Sequence, residues 1–255
     1  MRHVLPLVLG VLLAGCVHPG PLRVLGTDPT TRYPDLLATP AASLYLKPNG
    51  GDIELRFSNS IANVGGGPLR LTARVEGDRT VATQEIVDAD GTVLVTRPAG
   101  VFEYHPTHHH THIDNIAQYE LRRGDQNGQV LITAKKVSYC MEDSVQYGST
   151  WQPRMYPKCS PTLQGVSPGW ADVYANDVPD QFVSVTNLPA GEYTLTTVVD
   201  PTRKFFDTNY ENNTSWVKIY LDVGNWRLTR MDESMHAQAS VTGEGQYWRP
   251  FWRGV

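Results

Sequence analysis

Short runs that alternate apolar and polar residues, broken by turn residues every ten or so positions, constrain this chain more than any other feature. Ile53, Leu55 and Phe57 share one parity while Glu54 and Arg56 take the other, and the run continues to Asn63-Val64-Gly65-Gly66-Gly67-Pro68, which reads as a turn. Residues 69–75 alternate again. Asp88-Ala89-Asp90-Gly91 separates 84–87 from 92–96, and Gln126-Asn127-Gly128 separates 119–122 from 130–136; both spacers are hairpin chemistry, because glycine accepts positive φ. Residues 182–186 and 193–199, joined through Leu188-Pro189-Ala190-Gly191, are expected to form a third hairpin, and 216–223 a last strong strand. Few stretches keep a helical apolar period over ten residues, and no internal repeat is evident. The pattern predicts an all-β chain, an antiparallel β-sandwich with immunoglobulin-like or Greek-key connections and long irregular loops that carry the site.

The chemistry concentrates in one run, Phe102-Glu103-Tyr104-His105-Pro106-Thr107-His108-His109-His110-Thr111-His112. His108, His110 and His112 alternate, so an extended strand turns all three imidazoles to one face. Imidazole donors in that number suit copper, zinc or iron far better than calcium or magnesium. Positions 108 and 112 lie roughly 13 Å apart along a straight strand, so convergence on one ion requires a bend or twist, and Pro106 is the place for one. His108, His110 and His112 are the expected ligands. His109 points to the other face, and His105 has the wrong parity unless the chain is redirected, which leaves it behind the ligands rather than among them. A histidine-rich strand that only scavenges metals is the simpler alternative.

At 255 residues with 40% apolar content the chain suits one large domain or two small ones. Twenty-two Lys plus Arg against 26 Asp plus Glu give a formal charge of −4, and no basic block points to nucleic acid. Arg2 and His3 precede an apolar run from 4 to 14, too short to span a bilayer and of the length of a secretory core segment. It ends in Leu13-Ala14-Gly15-Cys16, which resembles the bacterial lipobox and implies lipidation of Cys16 after removal of residues 1–15; ordinary export with a free cysteine is the alternative. The chain then divides into a tether and N-terminal segment (16–45), a β-sandwich that carries the histidine run (46–225) and a C-terminal tail (226–255). With Cys16 set aside, Cys140 and Cys159 are one pair in an exported protein, where thiols oxidise. A disulfide between them closes a loop of roughly 20 residues and contributes about 3 kcal/mol in the chain-entropy model.

Further blocks follow in order: Lys135-Lys136-Val137-Ser138-Tyr139-Cys140-Met141-Glu142-Asp143, then Ser167-Pro168-Gly169-Trp170-Ala171-Asp172-Val173-Tyr174, then Leu188-Pro189-Ala190-Gly191-Glu192-Tyr193 and Asp207-Thr208-Asn209-Tyr210-Glu211-Asn212-Asn213. Together with the histidine run they resemble the catalytic domain of the lysyl oxidases over residues 53–221. The resemblance implies copper on His108, His110 and His112, and a lysine tyrosylquinone cofactor made from Lys136 and Tyr174. It also matches the family's disulfide to Cys140 and Cys159. The implied reaction converts a primary amine, or the lysine of a protein, to an aldehyde with release of ammonia and hydrogen peroxide and consumption of oxygen.

Lys136 has to be neutral to act as a nucleophile, and a partly desolvated site lowers its pKa; Lys135 alternates outward. Asp172 and Asp177 bracket Tyr174 and are the nearest candidates for the base. Two positions depart from animal members: Lys135 stands where histidine is common, and Gln118 stands where a histidine precedes the Tyr-acid pair. A second class of reading keeps the scaffold without catalysis: a copper-binding immunoglobulin-like surface lipoprotein for metal storage or adhesion.

Overall fold

The computed structural model describes residues 32–106, 109–148 and 153–234; Cys16, His108 and the last 21 positions lie outside them. The strands are β1 (Leu36–Ala38), β2 (Ala42–Asn49), β3 (Asp52–Asn63), β4 (Leu69–Glu76), β5 (Arg79–Val87), β6 (Val93–His105), β7 (His110–Ile113), β8 (Ala117–Arg123), β9 (Val130–Thr133), β10 (Val145–Gln146), β11 (Leu163–Val166), β12 (Trp170–Tyr174), β13 (Phe182–Ser184), β14 (Gly191–Val199), β15 (Thr214–Asp222) and β16 (Arg227–Glu233). Among the described residues the only helical element is a single 3-10 turn, Tyr210–Asn213. Every named pairing is antiparallel, so the all-β reading holds.

The strands make three sheets. One runs β1-β3-β12-β10, with β2 and β13 also paired to β3; the second runs β11-β4-β5-β6-β7, the third β16-β15-β14-β8-β9. Alternation explains how they share one core. In β15, Ser215, Val217, Ile219 and Leu221 are buried between less buried neighbours, and in β8 Ala117, Tyr119 and Leu121 do the same. The apolar ones pack with Leu55, Phe57 and Ile61 of β3 and Leu69 and Leu71 of β4 in a single cluster.

Two expected hairpins form. Val87 faces Val93 across the 88–92 loop, where the Asp88 carboxylate accepts from the amides of Asp90 and Thr92, and Arg122 faces Val130 across the second loop. A third hairpin, β2–β3, which the alternation starting at Ile53 did not anticipate, turns at Asn49-Gly50-Gly51: Asn49 pairs with Asp52, and Gly50 sits at φ 61°. The hairpin expected between 182–186 and 193–199 does not form. β13 pairs with β3, and β14 pairs with β8 and β15, so the turn at 188–191 changes sheets instead of closing a ladder. The sheets also extend beyond 46–225, through β1 and β2 on one side and β16 on the other.

Candidate active site

β6 ends at His105 and β7 begins at His110, and the two residues face each other across the ladder. The His109 amide donates to the His105 carbonyl at 2.9 Å, with His109 itself at φ 58°. The chain therefore reverses inside the histidine run, which corrects the expectation of one continuous strand. His110 and His112 share β7 and one face, while His108 lies outside the described residues. Directly opposed residues of an antiparallel pair share a face, so the reversal brings His105 to the side of His110 and His112. Its ring stacks on His112 with centroids 4.8 Å apart. The parity that set His105 aside applies only to an uninterrupted strand.

A bridge between Ile113 and Tyr139 lays the following segment beside β7. That contact puts Ser138 Oγ 3.2 Å from His112 Nδ1, and His112 Nε2 lies 2.9 Å from His110 Nε2. In the tautomer whose Nδ1–H donates to Ser138, His112 keeps the lone pair on Nε2, the arrangement of a metal-bound histidine. Two imidazole nitrogens bonded to one ion at about 2.0–2.1 Å and at right angles stand roughly 2.9 Å apart. The observed spacing fits a shared ion, and the donors fit copper. Among the described residues no group of three His, Cys, Asp or Glu side chains is placed to hold a metal ion; they supply two of the three expected ligands, His110 and His112.

β9 stops at Thr133, earlier than its alternation suggested, and the chain turns inward with the Ala134 amide donating to the Tyr119 carbonyl at 2.9 Å. Lys135 is exposed, as its parity required, and Lys136 is only 6% exposed. The Lys136 Nζ sits 4.9 Å from the centre of the Tyr139 ring and 5.6 Å from that of Tyr174. Burial pulls the Lys136 pKa below the usual lysine value, against the opposing charges of Asp180 and Asp172. At the end of β12, the buried Tyr174 hydroxyl donates to the Cys140 carbonyl at 2.7 Å and accepts from the Cys140 amide at 2.8 Å. Burial, then the nearby Asp172 charge, pushes this phenol well above its ordinary pKa. Cys140 is joined to Cys159 by the expected disulfide, so the phenol hangs on backbone that is covalently pinned.

Behind it, the Tyr139 ring meets Tyr174 edge-on at 4.3 Å, and the Tyr139 hydroxyl lies 2.6 Å from that of Tyr119 and 3.1 Å from Gln181 Oε1. Asp172 is 1% exposed; Oδ1 accepts from Ser144 Oγ at 3.2 Å, and Oδ2 has no partner among the described residues. Burial, then the charge of Glu142, holds its carboxyl well above the usual range. A cavity of about 370 Å³ is lined by His110, Cys140, Glu142, Asp172, Tyr174 and Val178, among others. The structure thus brings His110, Tyr174 and Asp172 to one cavity, with Lys136 against the Tyr174 ring. Asp177 is exposed on the loop after β12 and does not line the cavity.

Sequence reasoning passed over Glu142 and Asp143, although both stand inside the block that marks Lys136. Asp143 is fully buried and accepts from the Ser167 amide and hydroxyl at 2.7 Å each and from the Tyr156 amide at 2.9 Å. That carboxylate ties the disulfide loop to the turn before β12. Gln118, the other noted departure, donates to Glu120 on β8 at 2.6 Å.

A lysyl oxidase family profile matches residues 80–230. The protein-lysine 6-oxidases of Rattus norvegicus and Homo sapiens are each 34% identical, over 122 and 123 residues, which is 47% of this chain and 28% of either relative. Lysyl oxidase homolog 2 of Gallus gallus is 26% identical over 152 residues, 57% of this chain and 19% of that protein. The chain therefore spans well under a third of the length of these relatives. The matched residues 80–230 contain the histidine hairpin, Lys136, the disulfide and Tyr174. With more than half of its 255 residues inside that match, the chain belongs to the lysyl oxidase family.

Proposed function

We propose that the protein is a copper- and quinone-dependent amine oxidase that converts peptidyl-lysine or related primary amines to aldehydes, consuming oxygen and releasing ammonia and hydrogen peroxide. The observation that carries this reading is the Lys136 Nζ held 5.6 Å from the centre of the Tyr174 ring, beside a cavity that Tyr174 and His110 line together. In this reading His108, His110 and His112 hold the copper, and Lys136 and Tyr174 form lysine tyrosylquinone. When present, the two groups supply a one-electron redox partner for oxygen and an electron sink for the amine carbon.

The chain's own residues prepare the site. Burial favours the neutral, nucleophilic form of Lys136. The Cys140 amide and carbonyl fix the Tyr174 oxygen, which keeps the ring beside that amine. Asp172, raised by burial and with one oxygen unpartnered among the described residues, is suited to take a proton at the substrate carbon. The negative balance of the chain favours approach of cationic amines. The Leu13-Ala14-Gly15-Cys16 run supports export and a lipid anchor at Cys16, on the periplasmic side or the cell surface; the mass of the mature N-terminus tests it, and an unmodified thiol there refutes it.

The decisive experiment is peptide mass analysis of copper-loaded protein for a Lys136–Tyr174 cross-link, with amine-dependent peroxide release in the wild type, Lys136→Ala and Tyr174→Phe. Cross-link and peroxide in the wild type alone are expected. Copper binding with both side chains at intact mass and no peroxide from any amine leaves only a passive copper-binding lipoprotein.

A further inference from the structure

β12 and β13 lie end to end along one edge of β3. Tyr174 is opposite Asn59 and Phe182 opposite Arg56, so only positions 57 and 58 of β3 separate the two pairings while residues 175–181 run between them. The surplus chain is forced out of the sheet, and its peptide groups lose their ladder partners. One side chain takes two of the freed carbonyls: Arg56 Nε donates to Asn176 O at 2.6 Å and Nη2 to Val178 O at 2.5 Å. Its Nη1 donates to Glu54 Oε2 at 2.7 Å, with Arg56 4% and Glu54 2% exposed. Asn49 Nδ2 donates to the other Glu54 oxygen at 2.7 Å, and the guanidinium lies 5.5 Å from the centre of the Phe182 ring. The excursion carries much of what surrounds the reactive pair. Val178 and Pro179 line the cavity, the charge of Asp180 acts on Lys136, and Gln181 Oε1 lies 3.1 Å from the Tyr139 hydroxyl.

We infer that Arg56, backed by Glu54, is a positioning residue of the site: its fork fixes the 175–181 excursion and, through it, the wall against which Lys136 and Tyr174 meet. A planar guanidinium is required because two carbonyls and one carboxylate are reached at once in fixed directions, which an ammonium on a flexible stem does not reproduce. The inference rests on the amine-oxidase reading for its consequence, and on the excursion alone for its mechanics.

The test compares Arg56→Lys with Arg97→Lys. Arg97 is a second two-carbonyl clamp, donating to Phe205 O at 2.8 Å and Arg203 O at 2.9 Å on a loop that does not line the cavity. In metal-free protein, amide hydrogen exchange over 175–181 and the acylation rate of Lys136 are read by mass analysis; after copper loading in air, the cross-linked fraction is read per folded protein. Arg56→Lys is expected to speed exchange over 175–181 and alter Lys136 acylation, each by about tenfold, and to cut the cross-linked fraction by about tenfold or more, since an ångström of misplacement costs up to roughly a hundredfold. Arg97→Lys is expected to change none of these. Unchanged exchange over 175–181, or faster exchange with the cross-link yield of the wild type, overturns the inference. If the wild type forms no cross-link, the amine-oxidase reading is what fails; the positional claim then stands on altered Lys136 acylation and falls if acylation is unchanged. Should Arg56→Lys not fold, Glu54→Gln, which keeps the fork and removes its charged anchor, is judged by the same criteria.

Discussion

Tyr174→Phe deletes one oxygen that serves the Cys140 peptide twice, as acceptor for its amide at 2.8 Å and donor to its carbonyl at 2.7 Å. Cys140 is fully buried, so both groups are left without a partner in a place water reaches poorly. A buried donor or acceptor orphaned in this way costs about 1–3 kcal/mol. Two give roughly 2–6 kcal/mol, and no longer burying a phenolic oxygen returns part of it, for a net loss of about 2–4 kcal/mol. For a domain of this size that lowers the melting midpoint by roughly 5–15 °C. The assay is urea unfolding of metal-free wild type and variant, where no cofactor has formed and the comparison is of one hydroxyl. A change under about 0.5 kcal/mol at constant m-value, within the range of ordinary surface substitutions, refutes the bridging role of the hydroxyl. The same result would weaken the claim that Cys140 holds Tyr174 beside Lys136.

A Cβ on Gly165 of β11 meets the Leu69 carbonyl and carbon atoms of the Tyr156 ring at 2.8–2.9 Å. Gly165→Ala is therefore expected to destabilise by about 2 kcal/mol or more in chemical unfolding, because the obstacle includes ladder backbone that cannot yield. Reducing the Cys140–Cys159 disulfide is expected to cost about 3 kcal/mol and to lower cross-link yield, read by unfolding with and without reductant. Asp172→Asn tests a sign. The folded carboxyl is raised above its unfolded value, so its favourable contribution is present below about pH 4 and lost as pH rises through the folded pKa. The Asn variant is expected to melt above the wild type at neutral pH and to lose that advantage in acid.

Period-two alternation told which residues share a face, and it placed β3, β4, β8 and β15 well because one face of each is apolar. It is silent on whether the second face is covered. Glu54 and Arg56 fall on the polar parity of β3, yet both are buried, since the 175–181 excursion folds over them. Long-range pairing decides that, and no local pattern encodes it. The same blindness produced the false hairpin at 188–191, where good turn chemistry serves a crossing between sheets. In the histidine run, alternation continued through a reversal: residues 108, 110 and 112 keep one parity whether or not a turn intervenes, and Pro106 marked the irregularity without fixing its angle. Lys136 and Tyr174 were legible only as parts of blocks that resemble the lysyl oxidase motifs; alone, neither residue type distinguishes a reactive site from a solvated lysine or a packed tyrosine.

Lys136→Met and Tyr174→Phe should move stability in opposite directions, and that separates chemistry from folding. For Lys136 the folded pKa lies below 10.5, with desolvation the largest cause, so its favourable contribution is present above the unfolded value and lost as pH falls through the folded one. Below the unfolded pKa, keeping this amine buried is a cost to the fold, whether as a desolvated ammonium or as an amine that has given up its proton, and the Tyr139 and Tyr174 rings at 4.9 and 5.6 Å offset part of it. Met has a similar length and no charge to desolvate, so the variant is expected to melt above the wild type at about pH 7, with the gap closing toward about pH 10. Tyr174→Phe melts below the wild type for the reason argued above. If both variants lose the cross-link and peroxide release while their melting midpoints shift apart, unfolding cannot be the common cause. What the two substitutions share is then the removal of one half of the same reacting pair. A lower midpoint for Lys136→Met at neutral pH would show that the ring contacts outweigh the desolvation of the ammonium, and the argument for a depressed lysine at this site would fail.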